Sequence, residues 1–139
     1  MVAPLKVGIA GLGTVGAEVV RLIEAQARTL SARSGRGIRV VAVTARSKVK
    51  KRKLDLRGIE WVKSPLALAN HPGIDCFVEL MGGSGDPALS AIEAALKSGK
   101  SVVTANKALV AKHGVRLARI ASFWAVSWPS TSNDGLASA

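Results

Sequence analysis

Residues 6–20 read KVGIAGLGTVGAEVV, four glycines within fifteen positions that otherwise favour strand and helix. Glycine loses more backbone freedom on folding than any other residue, so this concentration needs a physical reason. Leu5, Val7 and Ile9, with Ala10, form a short apolar strand before the glycines. After them Val15, Val19, Leu22 and Ile23 fall on one face at helical spacing, so the chain runs from strand through glycine turn directly into helix.

Gly11, Gly13 and Gly16 stand as G-x-G-x-x-G in the strand-to-helix context that gives this motif meaning. Gly11 permits the tight turn, and Gly13 leaves room for a dinucleotide pyrophosphate to approach main-chain amides. Those amides belong to the first helical turn, around Thr14 and Val15, where the helix dipole favours negative charge. Gly16 lets the helix pack closely on the strand. Gly8, inside the strand, suits similar close packing.

The rest of the chain alternates in the same way. The first helix is expected to end near SARSGRG at Gly35 and Gly37. IRVVAVT (38–44) is a β-branched strand, and IEWV gives a brief third one. SPLALANHPG reads as a short helix with Ser64 as cap, Pro65 first and Pro72-Gly73 as terminator. CFVELM is a buried strand, followed by a helix with Asp86 at the cap, Pro87 at its first position and Gly99 at its end. SVVTAN is another strand, and KALVAKHGVRLARIAS a helix with a possible break at His113-Gly114. Alternation of this kind predicts an α/β fold, a doubly wound parallel sheet of Rossmann type with strand order 3-2-1-4-5 and right-handed crossovers.

At 139 residues the chain accommodates one domain with a real core, burying roughly two-thirds of its unfolded surface. Its 48% hydrophobic residues are broken into short runs, none near the roughly 20 that span a bilayer. The start lacks signal-peptide organisation, so a cytoplasmic location without membrane partners is expected. Cys76, the single cysteine, lies in an apolar run and reads as core. His71 and His113 have no ligand spacing to it or to each other, so no metal site is expected.

The net charge is +11, and seven of the twenty basic residues crowd into RSKVKKRKLDLR (46–57). At the end of the second strand, where NAD-specific sites place an acid on the ribose 2′-hydroxyl, this chain has VTARSK and no carboxylate before Asp55. Arg46, Ser47 and Lys48 would instead receive a 2′-phosphate, favouring NADP with NAD still possible. The remaining basic residues carry no aromatic residue among them for base stacking, so no nucleic-acid role is expected. Salt-sensitive retention of DNA or RNA would be the sign of one.

GIAGLGTVG, ELMGG (79–83) and VVTANKALVAKHG (102–114), in this order and spacing, resemble the amino-terminal cofactor domain of homoserine dehydrogenase over approximately residues 5–121. The resemblance implies an NAD(P)-dependent oxidoreductase that interconverts aspartate 4-semialdehyde and homoserine, in the biosynthesis of threonine, isoleucine and methionine. It also implies a homo-oligomer with a second domain for substrate and subunit contacts. Met81, Gly82 and Gly83 would lie along the nicotinamide end of the cofactor. Thr104 and Asn106 would orient ribose or carboxamide, although Asn106 is equally suited to cap a helix. Lys107 is the catalytic residue that the resemblance implies, hydrogen-bonding the substrate oxygen and also touching the cofactor site. Glu79, a carboxylate at a strand end, needs a partner such as the glycine-turn amides, serving either structure or cofactor orientation.

The resemblance divides the chain into a dinucleotide-binding domain at 1–121 and an atypical tail at 122–139, FWAVSWPSTSNDGLASA from Phe123 on. The tail departs from the family's continuation as a truncated or frame-shifted product would, and such a product is expected to lack the substrate and dimerisation domain. Without such a domain an amino-acid substrate lacks precise placement, which is worth several kcal/mol to catalysis. Two functions therefore stand side by side: the cofactor domain of an oxidoreductase, and an NADP(H)-binding or regulatory module without turnover.

Overall fold

The computed structural model describes residues 3–46 and 54–123. The elements, in order, are β1 (Leu5–Ala10), α1 (Thr14–Ala25), α2 (Ala27–Ser34), β2 (Ile38–Thr44), β3 (Glu60–Trp61), α3 (Pro65–Ala69), β4 (Cys76–Glu79), α4 (Ala88–Lys97), β5 (Ser101–Thr104) and α5 (Lys107–Phe123). The described strands form one parallel sheet in the order β3-β2-β1-β4-β5, as the alternation predicts.

Parallel strands covered on both faces carry continuous apolar runs rather than alternation, as at residues 7–10 of β1 and 76–78 of β4. On one face Phe77 and Val102 of the sheet meet Leu68 of α3, Ile92 and Leu96 of α4, and Leu109 and Leu117 of α5. Val7, Ile9, Val43 and Val78 face the other way, toward Val20 of α1. Burying side chains of this size contributes about 1.5–3 kcal/mol each. Gly8 lets α3 come down on β1, since a methyl group there would lie 2.9 Å from the tips of Ile74 and Leu68.

Helix ends follow local chemistry. Ser64 accepts the Ala67 amide at 3.1 Å and Pro65 occupies the first turn of α3. Gly35, in the left-handed region at φ 71°, stops α2.

Several expectations need correction. The first helix is interrupted at Gln26, because the apolar stripe of α1 stops at Ile23 and α2 buries no side chain against the sheet. Helix α4 starts at Ala88 rather than Pro87; Asp86 reaches past the proline, which has no N–H, to accept the Ser90 amide at 2.9 Å. Strands β4 and β5 end at Glu79 and Thr104, two residues early, where their chains turn toward the glycine loop and α5. Helix α5 runs unbroken through Gly114, which is buried on the same face as Leu117 and Ala121. Glycine inside a helix costs only about 1 kcal/mol, and packing there outweighs it.

Candidate dinucleotide site

The register brings four strand ends into one row. Ala10 lies between Thr44 and Glu79, and Glu79 lies beside Thr104. The segments that follow β2, β1, β4 and β5 therefore leave the same sheet edge, and chain order reverses between β1 and β4. In open α/β sheets that reversal opens a crevice for ligands.

Three glycines of the first turn have three different reasons. Gly11 has φ 103°, and a side chain there would lie 2.7 Å from the Leu80 carbonyl oxygen. Gly16 sits on the turn rather than on the strand proper: a methyl group would stand 1.8 Å from the Gly11 carbonyl oxygen. Both are demanded by the fold. Gly13 is not, because its φ is −71° and a methyl group would meet nothing within 4 Å. The space beside it is open.

Gly13 precedes α1, whose first-turn amides at Thr14, Val15 and Gly16 receive no side-chain cap. Helices α3 and α5 are capped by Ser64 and Asn106. With Thr14 and Val15 exposed and no acidic residue in that turn, these uncapped amides present the positive end of the helix dipole to an anion. Val15 is 58% exposed, an apolar side chain at the mouth of the same turn.

At the other half of the crevice Glu79 is wholly buried. One oxygen accepts the amides of Met81 (2.7 Å) and Gly82 (3.2 Å), and the other accepts the Thr104 hydroxyl (2.5 Å). The Thr104 oxygen in turn accepts the Asn106 amide at 3.0 Å. Asn106 caps α5 through the Leu109 amide (3.1 Å), and its side-chain nitrogen donates to the Gly83 carbonyl. Gly82 and Gly83 have φ 84° and 81°, a backbone that needs glycine, with open space where side chains would project. Lys107 is exposed and is the first residue of α5.

Gly11, Gly13, Thr14, Val15, Gly16, Met81, Gly82, Gly83, Thr104, Asn106 and Lys107 thus gather along one edge, with Arg46 exposed two residues beyond β2. Ser47 and Lys48 lie outside the described residues. The Thr104 hydroxyl and the Asn106 side chain are engaged within the protein, which makes capping the observed role of Asn106. The closed set of bonds around Glu79 was only half legible; a carboxylate ahead of two glycines signals the amide contacts, but nothing local signals Thr104.

A long anionic ligand fits these residues: an open cradle at Gly13, uncapped amides behind it, and a second glycine pair along the same edge. Fold and site define a Rossmann-type dinucleotide-binding domain.

The chain belongs to the homoserine dehydrogenase family. The family described as homoserine dehydrogenase, NAD binding domain, matches residues 11–128. The homoserine dehydrogenase of Pseudomonas aeruginosa is 43% identical over 114 residues, covering 80% of this chain and 25% of the relative. That of Corynebacterium glutamicum is 42% identical over 114 residues, covering 81% and 25%. The crystal structure of a homoserine dehydrogenase from Thiobacillus denitrificans superposes with TM-score 0.82 at 39% identity, covering 89% of this chain and 28% of that one. The chain spans about a quarter of the length of the curated relatives it matches.

Proposed function

We propose that this chain is the cofactor-holding domain of a cytoplasmic homoserine dehydrogenase, preferring NADP(H) to NAD(H), with residues 1–121 as the domain, a boundary two residues short of the end of α5, and the tail following that helix. The carrying observation is the open cradle at Gly13 in front of the uncapped amides of α1. There the pyrophosphate is held by main-chain donors of the first helical turn. The adenosine end extends over β2, where Arg46 offers its guanidinium fork to a 2′-phosphate together with Ser47 and Lys48. The other end then falls along Met81, Gly82 and Gly83 and the start of α5.

The nicotinamide, when bound, supplies or accepts the hydride exchanged between aspartate 4-semialdehyde and homoserine. Lys107 holds its ammonium at the substrate oxygen, stabilising that oxygen as it gains negative charge and donating or recovering the proton. Placing the amino-acid substrate against Lys107 falls to a substrate domain, and homo-oligomer formation belongs with it.

In a second reading the same edge binds NADP(H) without turnover, since the Thr104 hydroxyl and the Asn106 side chain are engaged within the protein and, of the three, Lys107 alone is left to meet a substrate. Titration of the purified chain with NADPH and NADH, combined with a homoserine oxidation assay on the chain joined to the substrate domain of a homoserine dehydrogenase, tests both. Tighter NADPH binding with turnover supports the dehydrogenase, and binding without turnover supports the module. No binding of either nucleotide overturns the site.

A further inference from the structure

Within β4 three apolar residues, Cys76, Phe77 and Val78, precede a fully buried acid. A buried carboxylate is unfavourable unless its lone pairs are satisfied, so packing alone does not explain Glu79. Its two oxygens accept from Met81, Gly82 and Thr104. The ring of bonds then closes through the Asn106 amide on Thr104 and the Asn106 side chain on Gly83. Two segments about twenty-five residues apart, the glycine pair after β4 and the turn leading into Lys107, are thereby fixed to each other.

The direction of these bonds matters. A carboxylate only accepts, so the Thr104 hydroxyl must donate toward Glu79 and keep a lone pair for the Asn106 amide. Glutamine at position 79 would place an NH₂ or one oxygen on a set that needs acceptors on both sides. With its oxygen on the two loop amides, its NH₂ would face the Thr104 oxygen, which could accept that N–H only by turning its own proton away from position 79, so the charge-assisted bond is lost with little change of volume.

We infer that Glu79 is a positioning residue for the nicotinamide half of the site: acting through Thr104 and Asn106, it sets the main chain at 82–83 and the first turn of α5, including Lys107, for the ligand. This rests on the reading that a nicotinamide dinucleotide lies across this edge with its adenosine end over β2. Glu79 itself, wholly buried, makes no contact with the ligand in this role.

The test uses calorimetry on the whole chain with two ligands, NADPH and 2′-phospho-ADP-ribose, which lacks the nicotinamide. Glu79→Gln should bind 2′-phospho-ADP-ribose within twofold of the parent and NADPH at least tenfold more weakly. Thr104→Val should behave in the same way, Thr104→Ser should restore NADPH binding, and the double variant Glu79→Gln/Thr104→Val should be no weaker than either single one. Equal losses for both ligands would reduce Glu79 to a structural role, and unchanged NADPH affinity would remove the role altogether. If Glu79→Gln does not fold, the Thr104→Val and Thr104→Ser pair decides by the same criterion. A parent chain that binds neither ligand would overturn the underlying site reading instead.

Discussion

Gly16 of α1 lies against the carbonyl oxygen of Gly11, so closely that a methyl group would come within 1.8 Å of that oxygen. The glycine turn is thus locked at its first and last positions by the chain itself, while the middle position faces open space.

Gly16→Ala and Gly13→Ala should therefore separate folding from binding. The first forces helix and turn apart and should lower stability by about 3 kcal/mol. The second should change stability by less than about 1 kcal/mol, as expected for a helix cap, but weaken NADPH at least about tenfold by pushing the phosphates from the amides. Urea melts and nucleotide titrations read the two effects. Unaltered affinity in Gly13→Ala or Gly13→Val would contradict the site.

Arg46 is exposed just beyond β2, within the row of strand ends. If Arg46 pairs with the 2′-phosphate as proposed, Arg46→Ala should weaken NADPH roughly tenfold while changing NADH, which lacks that phosphate, less than about twofold. Fluorescence titration of the two reduced nucleotides measures the ratio. An equal change for both would remove Arg46 as the discriminating group.

The Cys76 thiol is 6% exposed; burial first, and the neighbouring Asp75 charge second, push its pKa up to about 11 from an ordinary 9.0. At pH 8 its thiolate fraction should be roughly a hundredth of that in the unfolded chain, so disulfide reagents should modify it at least about a hundredfold more slowly before denaturation. The folded thiol keeps its proton to higher pH than the unfolded one. Its contribution to stability is therefore complete below pH 9.0 and lost as pH rises through about 11. Rapid labelling of the folded protein would show that the sheet opens easily at β4.

Lys100 follows the end of α4 and is buried, and that burial pulls its pKa below the ordinary lysine value. A depressed base holds its proton more tightly when unfolded, so its charge opposes folding at neutral pH, an effect that fades as pH rises through the lysine range. Lys100→Met keeps the aliphatic stem and removes the charge. Thermal or urea melts at pH 7 should show stability raised, by far less than the cost of a fully buried charge. A lower melting point would mean that the ammonium has a stabilising role.

Much of this molecule could be read along the chain. Strand and helix periodicities, the Ser64-Pro65 start of α3 and the left-handed stop at Gly35 are local, set by side chains within a few residues of each other. The glycine motif between strand and helix, with regular alternation after it, was enough to give the order β3-β2-β1-β4-β5. Local pattern misjudged Gln26 and Gly114, because whether a helix bends or continues depends on what its far face packs against. It also could not separate Gly13 from Gly11 and Gly16, three identical residues in one motif. Only the fold shows that two of them face backbone atoms and one faces open space. The pairing of Glu79 with Thr104 was decided in the same way: parallel register, a contact between chain segments distant in sequence, places a hydroxyl on one strand end beside a carboxylate on the next.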